Sequence, residues 1–228
     1  AWFLPNAADI PADYAREGTW YDLFKFKFLN KYADSWTPGS STFQYPNDQN
    51  ASTLWYHDHT LGMTRLNVYA GPAGFYNIRG GPGDAVTGVL PGPAPALGDA
   101  PGMRYYEIPI AIQDRSFNAD GSLFYPDMRA FFEGLDPSQL QIPFIGEEAC
   151  HGMPSDIAPY WTPEFFGNTM LVNGRTWPFL DVEQRRYRFR LLNGCNSRFL
   201  MLQMDNGLPF YQIGAEGGFL PAPVMLNQ

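Results

Sequence analysis

The sequence predicts an all-β protein, assembled from short strands packed as sandwiches. Three observations carry that prediction. Glycine and proline are abundant, at 23 and 21 of 228 residues, and favour tight turns over long helices. Phe, Tyr and Trp, at 18, 13 and 6, supply many large side chains suited to half-buried strands. Several segments also alternate with a period of two. The clearest is Gln184 to Leu192, where Arg186, Arg188 and Arg190 face one way and Tyr187, Phe189 and Leu191 the other. An apolar fraction of 45% excludes global disorder.

Taken in order, Leu23 to Leu29 alternates Phe24, Phe26 and Phe28 with Lys25 and Lys27, the pattern of a half-buried strand. Thr42 to Tyr45, Thr53 to His57 and Gly74 to Ile78 read as further strands, with a short helical turn over Thr60 to Leu66 joining the last two. From Gly80 to Gly102 more than half the residues are Gly or Pro, which no regular element tolerates. The expected organisation is therefore one unit over 1–80, a linker over 81–103 and a second unit over 104–228.

In the second unit, Arg104 to Gln113 is β-prone and Asn118-Ala119-Asp120-Gly121 supplies turn chemistry. Gln184 to Leu192 fits an antiparallel sheet with one wet face, its arginine row lying in solvent or against a neighbouring domain rather than forming an anion site. Phe199 to Met204, Phe210 to Ile213 and Val224 to Leu226 complete a series at sandwich-like spacing. Residues 131–163 form an irregular, Pro-rich insertion of the length common in lids and interface arms.

Fifteen basic residues against 23 acidic ones give a net charge of −8, which argues against a sequence-independent nucleic-acid binder. No apolar run reaches the roughly 18 residues of a membrane span, and no basic-then-apolar leader opens the chain. The first residue is Ala rather than Met, so the chain is expected to start inside a longer protein.

Chemistry concentrates where histidine is found, and there are only three: His57, His59 and His151. In Trp55-Tyr56-His57-Asp58-His59 two imidazoles stand at i and i+2 near a strand end, so both project from one face with Cα atoms about 6.5–7 Å apart. Such a pair suits copper or zinc. It equally suits a polar cleft lined by histidines, and Asp58, on the other face, could cap a turn. The two cysteines, Cys150 and Cys195, could form one disulfide or remain separate buried thiols.

The run from Thr53 to Tyr76, TLWYHDHTLGMTRLNVYAGPAGFY, resembles the second copper-binding motif of multicopper oxidases, in a form nearest to spore-coat laccases and bilirubin oxidases. The resemblance continues, in order, through Ile112 to Phe117, Asp120 to Tyr125, Thr169 to Pro178, Tyr187 to Asn193 and Gln212 to Gly218. It implies cupredoxin-like Greek-key β-sandwiches, with 1–80 the C-terminal part of a first domain and 104–228 most of a second. It also implies copper as cofactor, with His57 and His59 each ligating one copper of a type 3 pair within a trinuclear cluster. The activity implied is laccase-like: a small-molecule donor, phenolic or aromatic-amine in type, is oxidised and O2 is reduced to water.

The departures from the pattern matter as much. The family carries an HxH motif before this one and two histidine motifs in a later domain, none of which falls within these residues. Around Cys150-His151, Ala149, Ser155 and Tyr160 stand where a type 1 copper site needs His, His and Met, so neither Cys150 nor His151 is expected to ligate copper. The resemblance therefore implies a chain incomplete for turnover alone, whose partners are the remaining segments of the same enzyme or another chain. Because the family is often exported, a location outside the cytoplasm is slightly favoured. Two other readings stay open: a non-enzymatic cupredoxin-like copper-binding or structural module, and an oxidase acting on bilirubin or metal ions.

Overall fold

The computed structural model describes residues 18–34, 43–60, 63–81, 84, 86, 88–126 and 164–226. The chain divides into two compact units, Ala1–Asp48 and Gln49–Gln228. The insertion over 131–163, with Cys150 and His151, lies outside the described residues.

In the first unit, helix α1 spans Tyr21–Tyr32, where period-two alternation had suggested a strand over Leu23 to Leu29. The physical reason is composition: YDLFKFKFLNKY contains no β-branched residue, glycine or proline, so nothing in it resists the helix. Asp22 in the first turn and Lys31 in the last complement the helix dipole. Phe28 and Tyr32, one turn apart, bring their rings to 4.9 Å. The helix stops at Ala33, which takes a left-handed conformation and donates its N–H to the Leu29 carbonyl at 2.8 Å.

The second unit is strand-rich, as the composition predicted. Strand β1 (Ser52–His57) runs into helix α2 (Thr64–Ala70), which returns the chain as β2 (Ala73–Ile78). The two strands pair antiparallel from Ser52 opposite Ile78 to His57 opposite Ala73. The central strand is β3 (Glu107–Phe117). It pairs antiparallel with β4 (Leu123–Phe124) and β5 (Thr169–Val172), and β5 carries β6 (Arg175–Thr176). Strand β7 (Arg188–Asn193) lies parallel to β3, correcting the expected antiparallel neighbour. A hairpin of β8 (Phe210–Ala215) and β9 (Gly218–Leu226) completes the set. Neither residues 43–45 nor 199–204 form the strands expected there, and the helical turn near 60–66 is realised as α2, a few residues later.

Packing around β3 explains how the elements cohere. Tyr69 of α2 is buried against Tyr125 and Phe165, with ring centroids 4.7 and 5.5 Å away. Its hydroxyl donates to the Phe124 carbonyl at 2.6 Å and accepts from the Ser116 N–H at 2.8 Å, so α2 is fixed to β3 and β4. Asp114, fully buried, accepts from the N–H groups of Gly167 and Asn196 at 2.8 and 3.0 Å and from Arg198 Nε at 3.1 Å. Two loop segments, one around Gly167 and one following β7, thus hang on one carboxylate. The approach at Gly167 is so close that a Cβ would sit 2.5 Å from the Arg115 nitrogen, which only glycine permits. Part of the Gly/Pro-rich stretch is also anchored: the Pro93 carbonyl accepts from the N–H groups of Tyr106 and Glu107 at 3.1 and 3.2 Å. No helix among the described residues is long and apolar enough to cross a membrane.

Candidate metal centre

The pleat of β1 sends alternate side chains to one face, and Trp55 and His57 share it. Their rings lie 4.3 Å apart, tilted by 31°. Two residues further, just beyond the strand end, the His59 ring stands 5.9 Å from that of His57 at the same 31° tilt. The structure thus brings the two sequence-predicted histidines together, His57 half-buried and His59 exposed.

Hydrogen bonding fixes the chemistry of one ring. His57 Nδ1 lies 2.7 Å from the Asp58 carbonyl oxygen, which can only accept, so Nδ1 carries the proton. The lone pair then sits on Nε2, the atom a metal would take. The Asp58 carboxylate is engaged elsewhere. Its two oxygens accept from the Thr60 N–H at 2.9 Å and the Thr60 hydroxyl at 2.8 Å, the capped turn anticipated from sequence. The Thr60 N–H, followed by its hydroxyl, holds the Asp58 carboxyl below the ordinary carboxylate range. A pair of imidazoles with one tautomer set by the backbone fits a borderline metal ion. Two donors do not complete a coordination sphere, and no group of three or more His, Cys, Asp or Glu able to hold a metal occurs among the described residues.

Cys195 is a free, half-buried thiol whose Sγ lies 3.7 Å from the Ile112 carbonyl oxygen. Burial, reinforced by the Asp114 charge, pushes it up to about 11, so it stays a protonated thiol and a poor nucleophile at neutral pH.

Sequence reasoning left the arginine row in solvent or against a neighbouring domain, and Arg186 is indeed exposed. Arg188 and Arg190 do not lie in solvent; their side chains are about nine-tenths buried around Glu107. Glu107 Oε1 accepts from Arg190 Nε at 2.5 Å and from Arg79 Nη2 at 2.6 Å, while Oε2 accepts from Arg79 Nη1 at 3.0 Å. Burial alone would raise the Glu107 carboxyl; hydrogen bonds from Arg79 and Arg190 and the charges of Arg190 and Arg188 override it and bring it down to about 2. Arg190 Nη1 also donates to the Thr53 hydroxyl, joining β7 to the strand that carries His57. An alternating Arg row opposite a lone Glu opening a β-prone run is the signal that could have revealed this cluster.

Comparison with known proteins gives a consistent picture. No protein-family model matches the chain. It is 44% identical over 182 residues to a laccase of Bacillus stratosphericus and 42% identical over 185 residues to a laccase of Bacillus subtilis strain 168. These alignments cover 80% and 81% of the chain and 30% of each relative. A multicopper oxidase of Oryza sativa, LPR1 homolog 1, is 39% identical over 183 residues. Among solved structures, a variant of the McoA multicopper oxidase from Aquifex aeolicus superposes with a TM-score of 0.55 at 31% identity, over 78% of this chain and 31% of that one. The chain thus spans about 30% of the length of the curated relatives it matches.

Proposed function

The chain belongs to the multicopper oxidase family, and we propose that it forms part of a laccase-like copper oxidoreductase in which His57 and His59 each hold one copper of a type 3 pair. The observation that carries this reading is the pairing of the two imidazoles at the end of β1, 5.9 Å apart, with the proton of His57 held on Nδ1. Copper bound there supplies one-electron redox chemistry, taking electrons that originate in a phenolic or aromatic-amine donor and delivering them to O2.

The chain's own residues prepare the site. The Asp58 carbonyl keeps His57 in the tautomer that offers Nε2, and the Trp55 indole restricts the ring's rotation from one side. Asp58 turns its carboxylate to Thr60, leaving the histidines as the local donors. The remaining ligands, the electron-entry site and the donor pocket belong to segments beyond these residues, so the chain alone is not expected to turn over. We assign 1–80 to the C-terminal part of a first cupredoxin domain and 104–228 to most of a second, joined by 81–103.

The test is made in a longer enzyme containing this segment. His57→Ala and His59→Ala should each lower bound copper and abolish O2 uptake, while donor-driven reduction of the electron-entry copper persists. Normal copper content and oxygen uptake in both variants would remove the pair from the cluster and leave a structural role for this chain.

A further inference from the structure

The arginine cluster is unbalanced in a way the histidine site does not explain. Both Glu107 oxygens are taken by Arg79 and Arg190. Arg188, its side chain 9% exposed, reaches Glu107 Oε2 at 3.5 Å, beyond good hydrogen-bonding distance. The nearby Asp84 carboxylate accepts from the N–H groups of Gly80 and Val86 at 2.8 and 3.4 Å. Three guanidiniums against two carboxylates leave a net positive charge in a protein whose overall charge is −8. Burial, followed by the charge of Arg190, lowers the affinity of Arg188 for its proton, the mark of an under-compensated cation.

Beside this cluster opens a cavity of about 370 Å³, lined by Arg79, Glu107 and Arg188 on one side and by the segment from Gly88 to Ala94 on the other. That opposite wall carries no charged side chain, so the cationic groups facing the cavity are the guanidiniums of Arg79 and Arg188. A guanidinium is a planar fork of donors that matches carboxylate and phosphate oxygens in pairs.

We propose that this cavity binds a small oxyanion, a carboxylate or phosphate group, held between Arg79 and Arg188. The anion supplies the charge that Glu107, already shared between two arginines, does not. The acidic surface of the whole chain disfavours polyanions, so the ligand is a small molecule or ion rather than nucleic acid. None of these residues is a proposed copper ligand, so the fate of this site and that of the histidine site are separable.

Isothermal titration of the full chain at low ionic strength, with inorganic phosphate in one arm and acetate or citrate in another, tests the site and separates the two anion sources. Saturable binding of at least one anion is expected, weakened about tenfold or more by Arg188→Gln and by Arg79→Gln. Arg175→Gln, on exposed β6, should bind as the unaltered chain does. Far-UV circular dichroism shows whether each variant is folded; if Arg188→Gln is not, the more exposed Arg79 decides. Absence of saturable binding in both arms, or unchanged affinity in folded Arg79→Gln, overturns the proposal.

Discussion

Among the described residues the buried carboxylates are Glu107 and Asp114, and the acidity of Glu107 makes a pH prediction. Its folded value, about 2, lies below the ordinary 4.5. The unfolded chain therefore binds the proton more tightly, and the group's contribution is fully present above pH 4.5 and lost as pH falls toward 2. The difference corresponds to about 3 kcal/mol. Denaturant melts of the chain and of Glu107→Gln at stepped pH should show a steep loss of stability in that window for the former and a shallower one for the latter. Equal slopes would remove Glu107 as the source. At the same scale Asp58 illustrates a division of labour: one residue gives its carbonyl to His57 and its carboxylate to Thr60, so the backbone sets a tautomer while the side chain shapes the turn.

Among elements, α2 links the histidine strand to the central sheet through a single phenol. Tyr69→Phe keeps the ring packing but removes the acceptor of the buried Ser116 N–H and the donor to the Phe124 carbonyl, and should cost about 1–3 kcal/mol in urea denaturation. A cost near zero would mean that water replaces the hydroxyl. Strands β1 and β2 were readable in the sequence because aromatic-rich runs stand there between clear breakers, and the HxH spacing placed both imidazoles on one side. Helix α1 was not readable by the same rule: Phe-Lys alternation imitates a strand, and the absence of β-branched residues, a weaker signal, decided otherwise. The arginine row was read correctly for periodicity, and its member Arg186 lies in solvent as expected, but the burial of Arg188 and Arg190 around Glu107 was not readable. Alternation reports which side chains share a face; it cannot report that a buried Glu107, 83 residues before Arg190, waits on that face. The tilted ring contact of Trp55 with His57 was likewise hidden, since i, i+2 neighbours on a strand touch only if their rotamers agree.

At the scale of the molecule, large apolar side chains remain uncovered. Phe199 and Met201 are each 98% exposed and Phe179 88%, well beyond scattered surface hydrophobics. The isolated chain should bind a hydrophobic dye and associate with rising concentration, as followed by light scattering on a sizing column. A monodisperse monomer without dye binding would mean that these side chains find cover within the chain. The bond between Arg190 and Thr53 carries a further consequence, which concerns order in time. Its two ends are 137 residues apart, so the strand bearing His57 leaves the ribosome long before the residue that braces it. Closing so long a loop is entropically slow and comes late in folding. Strand β1 therefore pairs first with β2, close in sequence, and gains its tie to β7 only after that strand has emerged and docked. The strand that carries the two histidines thus acquires its last tie late, from an arginine far along the chain.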